Sequence, residues 1–139
     1  LMALDDLGLL GVPRETVRHS DPLPGTWAWV NFFHYEVTNR RPIAAMGVLY
    51  FLEGMAAKLA PIVGKQLAQV LTGEQRKAVS FVQEHGELDA EHSEEGREMI
   101  ALYCTDPLDA DELERTILLG GSIKRFLLDD LVQKTLAGR

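Results

Sequence analysis

The segment Gln83-Glu84-His85-Gly86-Glu87-Leu88-Asp89-Ala90-Glu91-His92 constrains the fold more than any other part of the 139-residue chain. It places His85, Asp89 and His92 at offsets of four and seven. On an α-helix turning about 100° per residue, those offsets return each side chain to within roughly 40° of the first. The three therefore leave one narrow stripe, which Phe81, Leu88 and Met99 continue with apolar side chains. A polar trio inside a buried apolar stripe costs free energy unless something satisfies it. A transition-metal ion does so, and two imidazoles with a carboxylate suit non-haem iron in particular. The segment thus calls for a long helix packed against other helices, with His85, Asp89 and His92 as the expected metal ligands.

The punctuation of the rest of the chain is helical as well. Leu1 to Leu10 reads as the end of a helix, stopped by Gly11 with Pro13 beyond it. His19 to Gly25 is a loop by composition. Thr26 is expected to cap a helix from Trp27 to about Asn39. Arg40-Arg41-Pro42 breaks it, and Pro42 suits the first turn of the next helix. That helix runs to about Leu59, where Pro61 ends or kinks it, and a helical piece follows from Ile62 to Leu71. Thr72-Gly73-Glu74-Gln75 has the form of a capping box and is expected to open the long helix from Glu74 to about Tyr103. Asp106-Pro107 is a turn, and Asp109 with Glu112 starts a last helix to about Leu136. No run of alternating polarity argues for a strand, so the expected fold class is all-α, in a single domain over residues 1–139.

Glu53 is the second unusual residue. Its helix face carries Met46, Leu49, Tyr50, Ala56, Ala57 and Ala60, all apolar or small. A carboxylate there is expected to be buried and to need a partner. Gly47 and Gly54 would let another helix approach closely. If that helix carries His85, Glu53 joins the trio, and two carboxylates with two imidazoles between packed helices are how di-iron carboxylate sites are built in bundles.

The net charge of −7, with no Lys/Arg cluster to offset it, argues against a nucleic-acid footprint. The one cysteine, Cys104, excludes an intrachain disulfide and a cysteine-ligated zinc site. The apolar stretch from Gly47 to Gly64 is interrupted by Glu53 and Lys58, so no membrane span is expected, and no signal peptide is visible. A cytoplasmic location fits. The chain opens Leu1-Met2-Ala3-Leu4-Asp5-Asp6-Leu7 without an initiator Met, which reads as a fragment.

Gly47-Val48-Leu49-Tyr50-Phe51-Leu52-Glu53-Gly54, followed about thirty residues later by the His85, Asp89, His92 set, resembles the haem-oxygenase-like di-iron oxidase family, and its bacterial iron-containing redox enzymes most closely. The resemblance implies a haem-oxygenase-like multi-helical bundle. It implies Glu53, His85, Asp89 and His92 as metal ligands and two iron ions in the full-length protein. In that family a Glu and a His on a first helix complete the set. Met2 to Leu7 resembles the run that follows that pair, so the resemblance places the pair before Leu1 and makes this chain the later two-thirds of a family member. The implied activity is that of an oxidoreductase activating dioxygen to oxidise a small organic molecule. Asp89 and His92 would serve one iron with Glu53, and His85 the other. The expected partners are a small-molecule substrate and dioxygen, with a homodimer left open and neither nucleic acid nor membrane involved.

Plainer readings stand beside these. The trio can be a hydrogen-bonded helix surface, since Glu84, Glu87, Glu91, Glu94 and Glu95 make much of that helix a solvated face. Glu53 can be a buried carboxylate paired with Arg or Lys. His34, Trp27, Trp29, Phe32 and Phe33 read as core or pocket lining, His19 as solvated, and Cys104 as a small buried hydrophobe. Lys58 and Lys65 read as exposed. The rival functions are a metal-free binding or scaffold module, and a haem-handling or cofactor-independent enzyme on the same fold.

Overall fold

The structure is a computed structural model describing residues 2–138, with the side chains of Glu87 and Ala90 outside that description. Leu1, the first residue of the expected opening helix, and the Glu87 side chain of the acidic face thus lie outside the described residues. Among the described residues six α-helices follow one another: α1 (Met2–Leu9), α2 (Arg14–Arg18), α3 (Pro24–Asn39), α4 (Pro42–Val70), α5 (Ser80–Tyr103) and α6 (Pro107–Ala137). A short 3₁₀ turn, Gly73–Lys77, links α4 to α5. No strand occurs among the described residues.

Two compact units share α4 and α5. One comprises Leu1–Asp21 and Glu53–Glu94, the other Pro22–Leu52 and Glu95–Arg139. In the second unit α3 packs on α6. Gly25 lies so close to α6 that a Cβ built there would stand 2.5 Å from the Leu127 backbone, and its N–H donates to Asp130 at 2.8 Å. Phe32, Ile43, Ala44 and Val48 form the buried centre. Trp29 stacks against Phe32 and Phe51, with the Lys124 ammonium 5.1 Å above its ring. A buried ionic cluster ties α3 to α6: Arg115 donates to Glu36, while Arg40 holds Glu112 through two hydrogen bonds of 2.6 Å.

In the first unit α4 and α5 run antiparallel. Positions 54, 60 and 64 of α4 stand opposite 93, 86 and 82 of α5. The contacts are close because the residues are small. A Cβ on Gly86 would meet the Ala60 Cβ at 3.1 Å, and one on Gly54 the Ser93 Oγ at 3.5 Å.

Four boundaries differ from expectation. The third helix begins at Pro24, not after Thr26. Pro24 occupies its first turn, where a missing N–H costs nothing. Pro61 does not end α4, which continues for 29 residues through it; the ring packs against Gly86, with its Cδ 3.7 Å from a Cβ built there. The capping box at Thr72 does not form. Gly73 takes φ +55, the Thr72 side chain caps nothing, and α5 starts at Ser80. The last helix is capped by Asp106, which accepts from the Asp109 N–H at 2.8 Å. Asp109 and Glu112 are instead buried. By length and composition α4 could cross a membrane, the one such helix among the described residues.

Candidate metal centre

The side of α5 that meets α4 is defined by Val82, Gly86, Ser93 in the first unit. Asp89 falls between Gly86 and Ser93 at helical spacing, on that seam, and is 6% exposed. His85 and His92 each precede a seam residue by one position and so flank the seam rather than lie in it. Phe81, Leu88 and Met99 are exposed. The stripe expected to be buried is therefore buried at Asp89, half-buried at His85 and open at Phe81, Leu88, His92 and Met99: the small residues of the seam, not the apolar ones of the stripe, let α4 approach.

His85 is fixed from below. Its Nδ1 lies 2.8 Å from the Phe81 carbonyl oxygen, and its ring lies against the Phe81 ring, tilted by 36° with centroids 4.1 Å apart. A carbonyl only accepts, so the bond requires the proton on Nδ1. That leaves Nε2 with a free lone pair, the form a metal ligand needs. His92 is about half exposed, and its Nδ1 stands 4.0 Å from the Asp89 Oδ1.

Glu53 adjoins Gly54, which lies opposite Ser93. Its level on α4 is therefore that of His92. In this antiparallel register helical geometry turns Glu53 toward the same flank of the pair as His85 and His92. It is half-buried rather than buried. Glu53, Asp89 and His92 thus form one group by position, and His85 stands about one turn before Asp89 and two turns before His92 on α5. The donor chemistry, two imidazoles and the Glu53 carboxylate on one flank beside the Asp89 carboxylate on the seam, fits iron. No group of three or more His, Cys, Asp or Glu among the described residues stands close enough together to hold a metal ion. The side chains do not converge, and closing a site on them requires rotation, for which the exposed His92 has room.

The remaining expectations fall out unevenly. His34 and Trp27 are exposed, contrary to a core or lining role, because they sit on the face of α3 away from α6. Phe32 is buried, Trp29 and Phe33 are partly so, and Cys104 is half-buried. His19 is exposed beside Glu15, and Lys58 and Lys65 are exposed. Sequence reasoning missed Asp6. It is buried at 8% exposure and accepts from the Ser80 hydroxyl at 2.7 Å and the Phe81 N–H at 2.8 Å. It takes the place of the missing cap at the start of α5. Nothing local marks such a contact, since the partners are 74 and 75 residues apart.

In comparison with known families, the family model described as iron-containing redox enzyme matches residues 1–120. No curated protein and no solved structure matches the chain. The helical architecture and the extent of that match agree, and the chain belongs to the haem-oxygenase-like family of iron-containing redox enzymes.

Proposed function

We propose that the protein is a non-haem iron oxidase or oxygenase that activates dioxygen at a di-iron site to oxidise a small organic molecule. Glu53, His85, Asp89 and His92 are its protein ligands. The observation that carries this reading is the α4/α5 register, which brings Glu53 to the level of His92 and to the flank shared with His85. Membership of a redox family that contains iron supports it.

Iron held there supplies one-electron redox chemistry and a binding position for dioxygen. The chain's own residues do the rest. Asp89, anchored on the buried seam, supplies a carboxylate whose backbone cannot shift without opening the helix pair. His85 presents Nε2 from a ring held on both its Nδ1 edge and its face. His92, which is exposed, supplies the side chain with room to turn toward the others, and Glu53, half-buried, supplies the second carboxylate. The partners proposed are a small molecule and dioxygen, in the cytoplasm.

Anaerobic loading with ferrous iron tests the reading. Wild-type protein should retain iron by metal analysis and consume oxygen on exposure to air. His92→Ala should retain less iron and slow that consumption at least tenfold. Protein that takes up no iron, with no change on His92→Ala, would sink the oxidase reading in favour of a metal-free module on this fold.

A further inference from the structure

The first unit contains a chain of contacts that leads to His85 from a residue 79 positions earlier in the sequence. The Asp6 carboxylate, the buried side chain of α1, accepts the Phe81 N–H at 2.8 Å. Phe81 in turn offers its carbonyl oxygen to His85 Nδ1 at 2.8 Å and its ring to the His85 ring at 4.1 Å. The other Asp6 oxygen takes the Ser80 hydroxyl at 2.7 Å. Ser80 and Phe81 open α5, whose first N–H groups have no partner within the helix. Without an external acceptor that turn frays, and Phe81 is the residue on which His85 rests.

We propose that Asp6 is a positioning residue for His85, acting through Phe81: it holds the first turn of α5 so that the Phe81 carbonyl keeps the proton on His85 Nδ1 and leaves Nε2 free to ligate. The physical logic is that of a carboxylate behind a ligating histidine, with one peptide unit interposed. Partners of that kind orient the ring and select its tautomer. Without such a partner both tautomers of the neutral ring are populated. A charged acceptor on the Phe81 N–H also polarises that peptide group, which strengthens the carbonyl as an acceptor. The consequence for metal binding rests on the reading of His85 as a ligand; the consequence for the tautomer does not.

Ring-nitrogen NMR of His85 in metal-free protein, at a pH where the ring is neutral, is the first measurement. The wild type should carry the proton on Nδ1; a wild-type ring protonated on Nε2 overturns the proposal outright. Asp6→Ala should give a mixture of tautomers. Asp6→Asn, whose amide oxygen still accepts from Phe81, should recover most of the wild-type pattern and serves if Asp6→Ala does not fold. Ser80→Ala, which removes the other Asp6 contact and leaves the Phe81 bond, should leave the tautomer unchanged. A folded Asp6→Ala with a wild-type tautomer, or a Ser80→Ala that shifts it as far, reduces Asp6 to a structural cap and overturns the proposal. In parallel, ferrous iron affinity should fall about tenfold in Asp6→Ala, the low end expected for a residue behind a ligand. If the tautomer shifts while the wild type binds no iron, the positioning role stands and the metal reading fails.

Discussion

At the scale of single residues, burial separates groups that look alike in the sequence. Glu36 and Glu112 carry the same side chain as the solvated Glu84 or Glu91, yet both are buried, because Arg115 and Arg40 reach them across the α3/α6 contact. The Arg40 guanidinium, with help from Arg115, holds the Glu112 carboxyl down to about 2 from its ordinary 4.5. A folded-state value below the unfolded one means stability that is present above pH 4.5 and lost as pH falls through about 2. Acid titration of stability in denaturant should show that loss, on the order of 2 kcal/mol after allowance for the partly exposed arginine, and Glu112→Gln should flatten the curve in that window. Glu36→Ala should be harsher, about 3 kcal/mol by denaturant melting, because it strips a partner from the Arg115 charge beside the fully buried Thr116. The Arg115–Glu112 pair is a helix neighbour three positions apart, but the pairs that join the two helices have no local signature: Arg40 and Glu112 are 72 positions apart and Glu36 and Arg115 79. The ligand candidates were legible for the opposite reason. His85, Asp89 and His92 lie within one short helical window, where chemistry and spacing are read together.

At the scale of helices, close approach decides what composition alone left open. Gly25 permits α3 to touch the α6 backbone. Gly25→Ala must therefore push the two helices apart and should cost about 2–3 kcal/mol, measurable by thermal or denaturant unfolding. Capping gives a contrasting pair. Asp106→Ala removes an observed cap and should cost about 1 kcal/mol, whereas Thr72→Ala removes a side chain that caps nothing and should stay within about 0.5 kcal/mol. The capping motif at Thr72 was a sound local signal overridden by tertiary structure, since Asp6 caps α5 later in the chain and frees residues 73–77 to form a 3₁₀ turn. Pro61 was overridden likewise. A proline inside a helix forfeits one hydrogen bond, but packing against Gly86 on α5 keeps α4 running through it.

At the scale of the whole molecule, the acidic composition carries one direct consequence. With a sequence pI near 5.0, solubility should pass through a minimum close to that pH and recover above it, which light scattering across a pH series would register. The all-α class and the membership of a redox family follow from patterns spread along the chain: helical periodicity, proline and glycine punctuation, and the Glu53 and His85-Asp89-His92 motifs. Those are properties of neighbouring residues, and sequence alone determines them because helix geometry converts spacing into direction. Tertiary structure alone decided that the buried line of α5 runs through Gly86, Asp89 and Ser93, that His92 remains exposed, and that Asp6 supports the helix bearing His85. Each depends on which surfaces of two distant segments come within a few ångströms, and periodicity within one segment specifies a face without specifying what will cover it.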